Sequence, residues 1–278
     1  MSRWDLETVY VEKKDGVAWI TINRPEQRNA MSPQVHFDMS TVLDELEFDD
    51  EVQVLVLTGA GKAWCGGQDL KLFFKELDNK PKERTKAYSA SQYWRWHKLF
   101  TYPKPTIAMV NGYCFGGGFT QLIACDFAIA ADDATFGLSE VNWGIIPGGF
   151  VSKALNECIG MRDIMVYAMT GEPFDAKEAA RSRLITKAVP GDQLEAETQK
   201  LCDTLLQLNP AVLKATKEAV KNVRNMDDVP AFDFLGSKLL ELQFVDKENG
   251  RAKGMDQFIQ DKSYRPGLEP YKRSSTEA

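Results

Sequence analysis

Three stretches of the chain carry residue types at spacings that could do chemistry. Asn111 to Asp126 reads NGYCFGGGFTQLIACD; an apolar, strand-like run (PTIAMV, Pro105 to Val110) leads into it, and the residues after the glycines are apolar enough for a buried helix. Consecutive glycines remove every Cβ, so another backbone or a ligand can approach closely. Where such a segment opens a helix, its first N–H groups lack intrahelical partners and point outward with the positive end of the helix dipole. That is an electrostatic site for a negative oxygen. A second glycine-rich turn, AGKAWCGGQDL (Ala60 to Leu70), follows another apolar run, VLVL (Val54 to Leu57). The third stretch, ATFGLSEVNWGIIPGG (Ala134 to Gly149), sets a carboxylate, Glu140, in a loop bounded by glycines. A carboxylate beside an apolar pocket has its protonated form favoured by desolvation, which moves its pKa toward working pH. Each feature also has an ordinary use: glycine triplets serve turns and helix packing, and a lone loop glutamate is commonly just solvated.

The elements that must position these residues follow from periodicity. Val9 to Lys13 and Val17 to Asn23 alternate apolar and polar positions around Lys14-Asp15-Gly16, which predicts a β-hairpin. Ser32-Pro33 reads as an N-cap with proline at the first helical position, and Met39, Val42, Leu43 and Leu46 follow at helical spacing. Leu72 to Tyr102 is mixed; its run YWRWHKLF predicts a helix that packs Tyr93, Trp94, Trp96 and Phe100 on the core, with part of that face free to wall a pocket. Phe127 to Ala131 reads as a strand and Thr135-Phe136 as a very short one. From Gly148 onward the pattern is almost wholly helical, with segments near Phe150–Cys158, Arg162–Met169, Ala176–Arg183, Leu194–Leu208, Ala211–Val223 and Val229–Phe244. The tail SSTEA is short and polar, and is expected to fray.

Composition excludes several function classes. At 278 residues the chain can form one large core or two domains; 44% hydrophobic and 27% charged residues are ordinary for a globular protein. A net charge of −6 and a pI near 5.2 speak against a nucleic-acid surface, and no apolar run approaches the length of a membrane span. The N-terminus has neither the apolar core of a signal peptide nor the acid-poor character of a transit peptide, and five scattered cysteines without a CxxC pair read as reduced core thiols, so a cytoplasmic location is expected. The histidines, His36 and His97, lie far apart, which gives no metal-site pattern and little reason to expect either in the chemistry.

Taken together, the two glycine turns and the loop acid resemble the crotonase (enoyl-CoA hydratase/isomerase) superfamily, over essentially the whole chain. NRPEQRNAMSP (Asn23 to Pro33), GYCFGGGF (Gly112 to Phe119), GLSEVNWGI (Gly137 to Ile145) and KSYRPGL (Lys262 to Leu268) are similar to its hydroxycinnamoyl-CoA (feruloyl-CoA) hydratase-lyase branch. The resemblance implies an α/β fold built as a spiral of ββα repeats, a core over 1–205 with the active site, and a helical region over 206–278 that builds homotrimers, often paired into hexamers. It implies a coenzyme A thioester as substrate, with no tightly bound cofactor and no metal. The donors to the thioester oxygen would be the backbone N–H groups of Gln68 and Gly117, and Glu140 would move the protons. Coenzyme A contacts would come from Gln27, Arg28, Ala30, Ala63, Gly66, Asp69, Leu70 and Trp143, although a tryptophan that large also suits a core.

Hydratases of the superfamily carry a second carboxylate where this chain has Thr120. A hydroxyl can hydrogen-bond water but cannot take a full proton, which favours one-acid chemistry. In the hydratase-lyase branch a single glutamate serves both the addition of water to the 2,3 double bond and the retro-aldol cleavage to an aldehyde and acetyl-CoA. Isomerases also manage with one glutamate at that position, so isomerisation or simple hydration stays open, and a non-catalytic scaffold of the same fold is the alternative from another class. Of the acyl-site positions that the resemblance implies, Phe73, Gly148 and Gly236, two depart from the branch. It holds a phenolic oxygen with two tyrosines, one of them from a neighbouring subunit; Phe73 and Gly236 stand there and neither has a hydroxyl. A pocket without those partners loses selectivity for a phenol, and an altered or less polar acyl group, or another anchor, is expected.

Overall fold

Alternation around a Lys-Asp-Gly turn gives the hairpin where it is predicted. In the computed structural model, which describes residues 2–273, β2 (Val9–Lys14) pairs antiparallel with β3 (Val17–Ile22), and Asp15 and Gly16 take φ of 48° and 80° in the tight turn. An unpredicted strand, β1 (Ser2–Asp5), pairs with the outer edge of β2. Helix α1 (Pro33–Glu47) starts as expected: the Ser32 hydroxyl accepts from the Val35 N–H and proline occupies the first turn. Its Val35, Met39, Val42 and Leu43 are fully buried, each stabilising the fold by about 2 kcal/mol relative to exposure.

Three strand pairs then repeat one theme, each giving a strand to a large sheet and a strand to a small one. They are β4 (Val54–Gly59) with β5 (Ala63–Cys65), β6 (Thr106–Val110) with β7 (Tyr113–Phe115), and β8 (Phe127–Ala131) with β9 (Thr135–Gly137). Helices α2 (Pro81–Gln92) and α3 (Gly118–Ala124) fill the intervals between them. Among the described residues the large sheet runs β1-β2-β3-β4-β6-β8-β11 and the small one β10-β9-β7-β5, with β4, β6 and β8 parallel. The result is a ββα spiral in which the glycine turns directly follow the small-sheet strands β5 and β7.

Beyond the spiral come α4 (Val151–Leu155), α5 (Met161–Thr170), β10 (Phe174–Asp175), α6 (Ala176–Arg181), β11 (Lys187–Val189) and α7 (Leu194–Leu206). The expectation of an almost wholly helical second half therefore needs correcting, because β10 and β11 each add an edge to a sheet. Strands of two and three residues are too short to show a period of two. Helices α8 (Pro210–Val223) and α9 (Asp228–Val245) lie where predicted; α10 (Gly250–Ile259), unpredicted, holds two glycines that depress its helical propensity.

The chain divides into two compact units as far as it is described, one of Met1–Tyr102 and Thr106–Lys200, the other of Pro103–Pro105 and Leu201–Ala278. The second unit is stitched by Asn209, whose side chain bonds Asp246 and the Tyr271 hydroxyl, and by Arg273, which pairs with Glu248 and donates to the carbonyls of Leu206 and Leu208. The frayed tail expected for SSTEA, residues 274–278, lies outside the described residues. No disulfide joins the cysteines: Cys65, Cys114, Cys125 and Cys202 are buried thiols, as read from the sequence, and Cys158 is a partly exposed one.

Candidate active site

Glycine is demanded where the two turns meet. Gly67 has φ +92°, and a Cβ there would sit 2.9 Å from the Phe115 carbonyl oxygen and 3.5 Å from the Gly117 nitrogen. Gly116 has φ +49°, and a Cβ there would lie 3.0 Å from Glu140 Oε1. Both turns and the acid are thus packed with no room for a side chain between them. Around Gln68, Met31 N–H donates to the Gly67 carbonyl and Asp69 N–H to the Met31 carbonyl; around Gly117, Gly116 N–H donates to Gly137 and Phe119 N–H to Gly116. The N–H groups of Gln68 and Gly117 themselves take no partner among the described residues. Two backbone donors without a partner stand on adjoining turns, held by bonds on either side, which is the kind of group that can stabilise a negative oxygen without a side chain.

Glu140 stands in a 3₁₀ turn, Ser139–Trp143, that ends on Gly144 at φ 72°. Its Oε2 is buried with no hydrogen-bond partner, and desolvation raises the carboxyl above the usual carboxylate range. The site so formed is the wall of a cavity of about 550 Å³ in the first unit, and among the described residues Glu140 is the only carboxylate on it.

The expected site residues divide over this cavity. Gln68, Gly117 and Glu140 line it together; Thr120 does not, being buried in α3 with its Oγ1 unpartnered. Of the positions expected to meet coenzyme A, Arg28, Gly66, Leu70 and Trp143 lie on the wall, whereas Gln27, Ala30, Ala63 and Asp69 do not. Asp69 is committed within the chain: it accepts from the N–H groups of Lys71 and Leu72 and pairs with Arg24 at 2.9 Å. Trp143, a core candidate on size alone, is 65% exposed at the mouth. Phe73 and Gly148 line the cavity, while Gly236 lies in α9 of the second unit, off the lining, with open space around its missing side chain.

Part of the Tyr93, Trp94, Trp96 and Phe100 face was expected to wall a pocket, but none of the four lines this cavity, and sequence reasoning missed the residues of the same segment that do. Tyr88, Ser91, Gln92 and Arg95 all line the cavity. They stand at i, i+3, i+4 and i+7, one face of α2 continued through a π-helical turn, Tyr93–Lys98. That spacing was the available signal, masked by the tryptophans flanking Arg95, of which Trp94 is fully buried on the other side. His36 was also missed. Trp94 Nε1–H donates to His36 Nδ1 at 2.9 Å, so Nε2 carries the proton and donates to Gln68 Oε1, also at 2.9 Å. Gln68 Nε2 in turn donates to Ser91 Oγ at 3.2 Å. Burial, reinforced by the charge of Arg95, holds His36 well below its ordinary pKa and keeps it neutral. Both ring nitrogens are taken up within the chain, and the imidazole fixes the side chain of Gln68, a residue of the cavity wall.

The family model for enoyl-CoA hydratase/isomerase matches residues 12–265. The chain belongs to the enoyl-CoA hydratase/isomerase family. Within it, the chain is 50% identical over 272 residues to a hydroxycinnamoyl-CoA hydratase-lyase of Pseudomonas fluorescens, covering 98% of each chain. A probable enoyl-CoA hydratase of Mycobacterium bovis is 36% identical over 77% of this chain and 81% of its own. Among solved structures, an enoyl-CoA hydratase from Bacillus anthracis superposes with a TM-score of 0.83 at 29% identity, covering 92% of this chain and 97% of that one. The ββα spiral is accordingly the crotonase fold of the family. Among the described residues no helix is long and apolar enough to cross a membrane, and no cluster of His, Cys, Asp and Glu could hold a metal ion.

Proposed function

We propose that the chain is a hydratase-lyase of the crotonase superfamily. It adds water to a 2-enoyl-CoA of the hydroxycinnamoyl-CoA kind and cleaves the 3-hydroxyacyl-CoA to an aldehyde and acetyl-CoA. The observation that carries this reading is the carboxylate on the cavity wall, Glu140, whose buried Oε2 has no hydrogen-bond partner and which is set against the same glycine pair that offers the free N–H of Gly117. The relative of half-identical sequence bears the name of that activity. Isomerisation, which also needs one acid, has less support.

The thioester oxygen takes hydrogen bonds from the Gln68 and Gly117 N–H groups. The Glu140 carboxylate accepts a proton from water as the water oxygen bonds C3; the electron pair of the double bond moves to the thioester oxygen, where those donors hold the charge, and Glu140 returns its proton to C2. For cleavage the carboxylate takes the 3-hydroxyl proton, the C2–C3 bond breaks, the aldehyde leaves, and the enolate of acetyl-CoA is protonated at C2 by Glu140. Thr120, behind the glycine wall, can hydrogen-bond a water but cannot take a proton, so both transfers fall to Glu140. Arg28, exposed above the Tyr113 ring at 5.5 Å, is placed to meet a coenzyme A phosphate as a charged donor.

The active form we infer is a homotrimer, or a hexamer of paired trimers, located in the cytoplasm. Support for assembly comes from α9, which leaves Val229, Phe232, Leu239, Leu240 and Phe244 between 60% and 87% exposed, an apolar face larger than a monomer keeps in water. Mass spectrometry of products from a panel of CoA thioesters tests the reaction: aldehyde with acetyl-CoA identifies the lyase, whereas a shifted double bond or a hydrated product alone rejects it.

A further inference from the structure

Arg95 is a cation without a counter-ion inside the cavity. Its guanidinium lies on the wall, yet the residue is only 3% exposed. Nε donates to the Ser91 carbonyl at 3.1 Å, Nη1 to the Gly117 carbonyl at 3.1 Å and Nη2 to the Gly149 carbonyl at 3.4 Å. A guanidinium has five N–H donors, so each terminal nitrogen keeps a hydrogen to give. All three acceptors are neutral, and among the described residues no carboxylate pairs with Arg95. The pocket's own acid sits against Gly116, whereas the arginine sits against Gly117, its Nη1 3.2 Å from where a Cβ would be. Burial pulls the guanidinium down to about 10, which leaves it charged at neutral pH. Buried charges in proteins are normally paired, because desolvation is costly and carbonyl dipoles answer it only in part. On the same face is Tyr88, whose ring packs 4.8 Å from Phe73.

We propose that Arg95 is the anion-binding group of the acyl pocket, and that the preferred substrate carries a carboxylate or phenolate oxygen on its acyl group. This rests on the acyl-CoA reading of the site. The oxyanion takes the spare N–H groups of Nη1 and Nη2 and supplies the charge that the chain itself withholds from Arg95. A charge-assisted pair of that kind, formed out of water, is about twice as strong as a neutral hydrogen bond. Every coenzyme A thioester carries the same phosphates, so a preference among acyl groups that depends on Arg95 cannot come from them.

The test is binding to the full-length Glu140→Gln variant, which keeps the pocket's shape and turns substrate over about a thousandfold more slowly. Calorimetric titration with 4-carboxycinnamoyl-, 4-hydroxycinnamoyl- and 4-methoxycinnamoyl-CoA should show at least one anionic candidate binding tenfold or more tightly than the methoxy compound. A red-shifted absorbance of the bound 4-hydroxy compound identifies phenolate as the source; tight binding of the 4-carboxy compound alone identifies carboxylate. Adding Arg95→Gln should bring the ratio to about one, and Arg95→Lys should keep part of it. Equal affinities in the Glu140→Gln protein, tightest binding of the methoxy compound, or an equal loss for all three thioesters with Arg95→Gln would overturn the proposal. Should the Arg95→Gln chain fail to fold, the affinity ratio in Glu140→Gln alone decides. Because the readout is affinity, a failure of the lyase reading shows separately, in the wild-type products.

Discussion

The cavity has two walls of different construction. One is backbone: the turns at Gly66–Gln68 and Gly116–Gly118 meet without side chains between them and present N–H groups, with Glu140 behind Gly116. The other is side chain: Tyr88, Ser91, Gln92 and Arg95 along one face of α2 and its π-helical extension. In the reaction we propose, the backbone wall acts on any thioester, because an oxygen that gains charge looks the same whatever the acyl chain, and the side-chain wall tells one acyl chain from another. On that proposal reaction type and substrate choice are written in separate parts of the sequence, and perturbing each should give separable effects.

Removing the acid should break the backbone wall most severely. Glu140→Gln keeps the shape and loses the proton carrier, with kcat expected to fall by about a thousandfold, within the span known for general acid–base groups. Wild-type kcat/KM should decline toward low pH with a limb above the ordinary carboxylate range, since burial raises Glu140 and only its ionised form takes a proton from water. Stability follows the same shift. A carboxyl raised by folding contributes fully below its unfolded pKa, and that contribution is lost as pH rises through the folded value. Glu140→Gln should therefore raise Tm at pH 8 more than at pH 4; an equal change at both would show that the carboxyl is not desolvated.

Closing the gap between the turns comes next. Gly67→Ala puts a Cβ 2.9 Å from the Phe115 carbonyl at a φ of +92°, so the turns must part and the donors diverge. The loss of one donor costs about a hundredfold in kcat. Gly144→Ala is the control, since it has a positive φ but nothing within 4 Å of the new Cβ and should cost only about 1 kcal/mol of strain. Comparable kcat losses for the two would mean that strain, not donor geometry, is responsible.

How legible each wall was depends on what builds it. The backbone wall could be read because glycine has a purpose that no other residue serves, so GGQ, GGG and the glycine-bounded Glu140 stand out in one dimension. Most of the strands and helices follow from period and caps; the short strands β5, β7, β10 and β11 have too few residues to show a period, and β1 and α10 were missed as well. The side-chain wall was illegible because its residues are ordinary surface types. That Arg95 turns inward depends on a π-helical turn that the sequence does not announce, and His36 looked idle because its partners, Gln68 and Trp94, are 32 and 58 residues away.

His36 joins the walls, and its removal should show how far they depend on each other. Without the imidazole, Gln68 loses its bond at 2.9 Å and keeps only Ser91. For His36→Ala, kcat should fall about tenfold, the size of one hydrogen bond worth about 1.4 kcal/mol, with KM changed less. His36→Gln, which can still donate to Gln68, should recover part of it. A rise in KM at constant kcat would mean that His36 supports the acyl wall instead.

Thr120 offers the smallest effect and the sharpest boundary. It lies one layer behind the backbone wall, 1% exposed, with an Oγ1 that has no partner and does not reach the lining. An unpartnered buried hydroxyl costs the fold about 1–3 kcal/mol, and an apolar isostere removes that cost. Thr120→Val should therefore leave Tm unchanged or raise it. If the hydroxyl orients a water only weakly, kcat/KM should fall roughly threefold, the worth of about 0.6 kcal/mol. A hundredfold loss with an intact fold would place Thr120 beside Glu140 in the chemistry, and the backbone wall would then need a side chain after all.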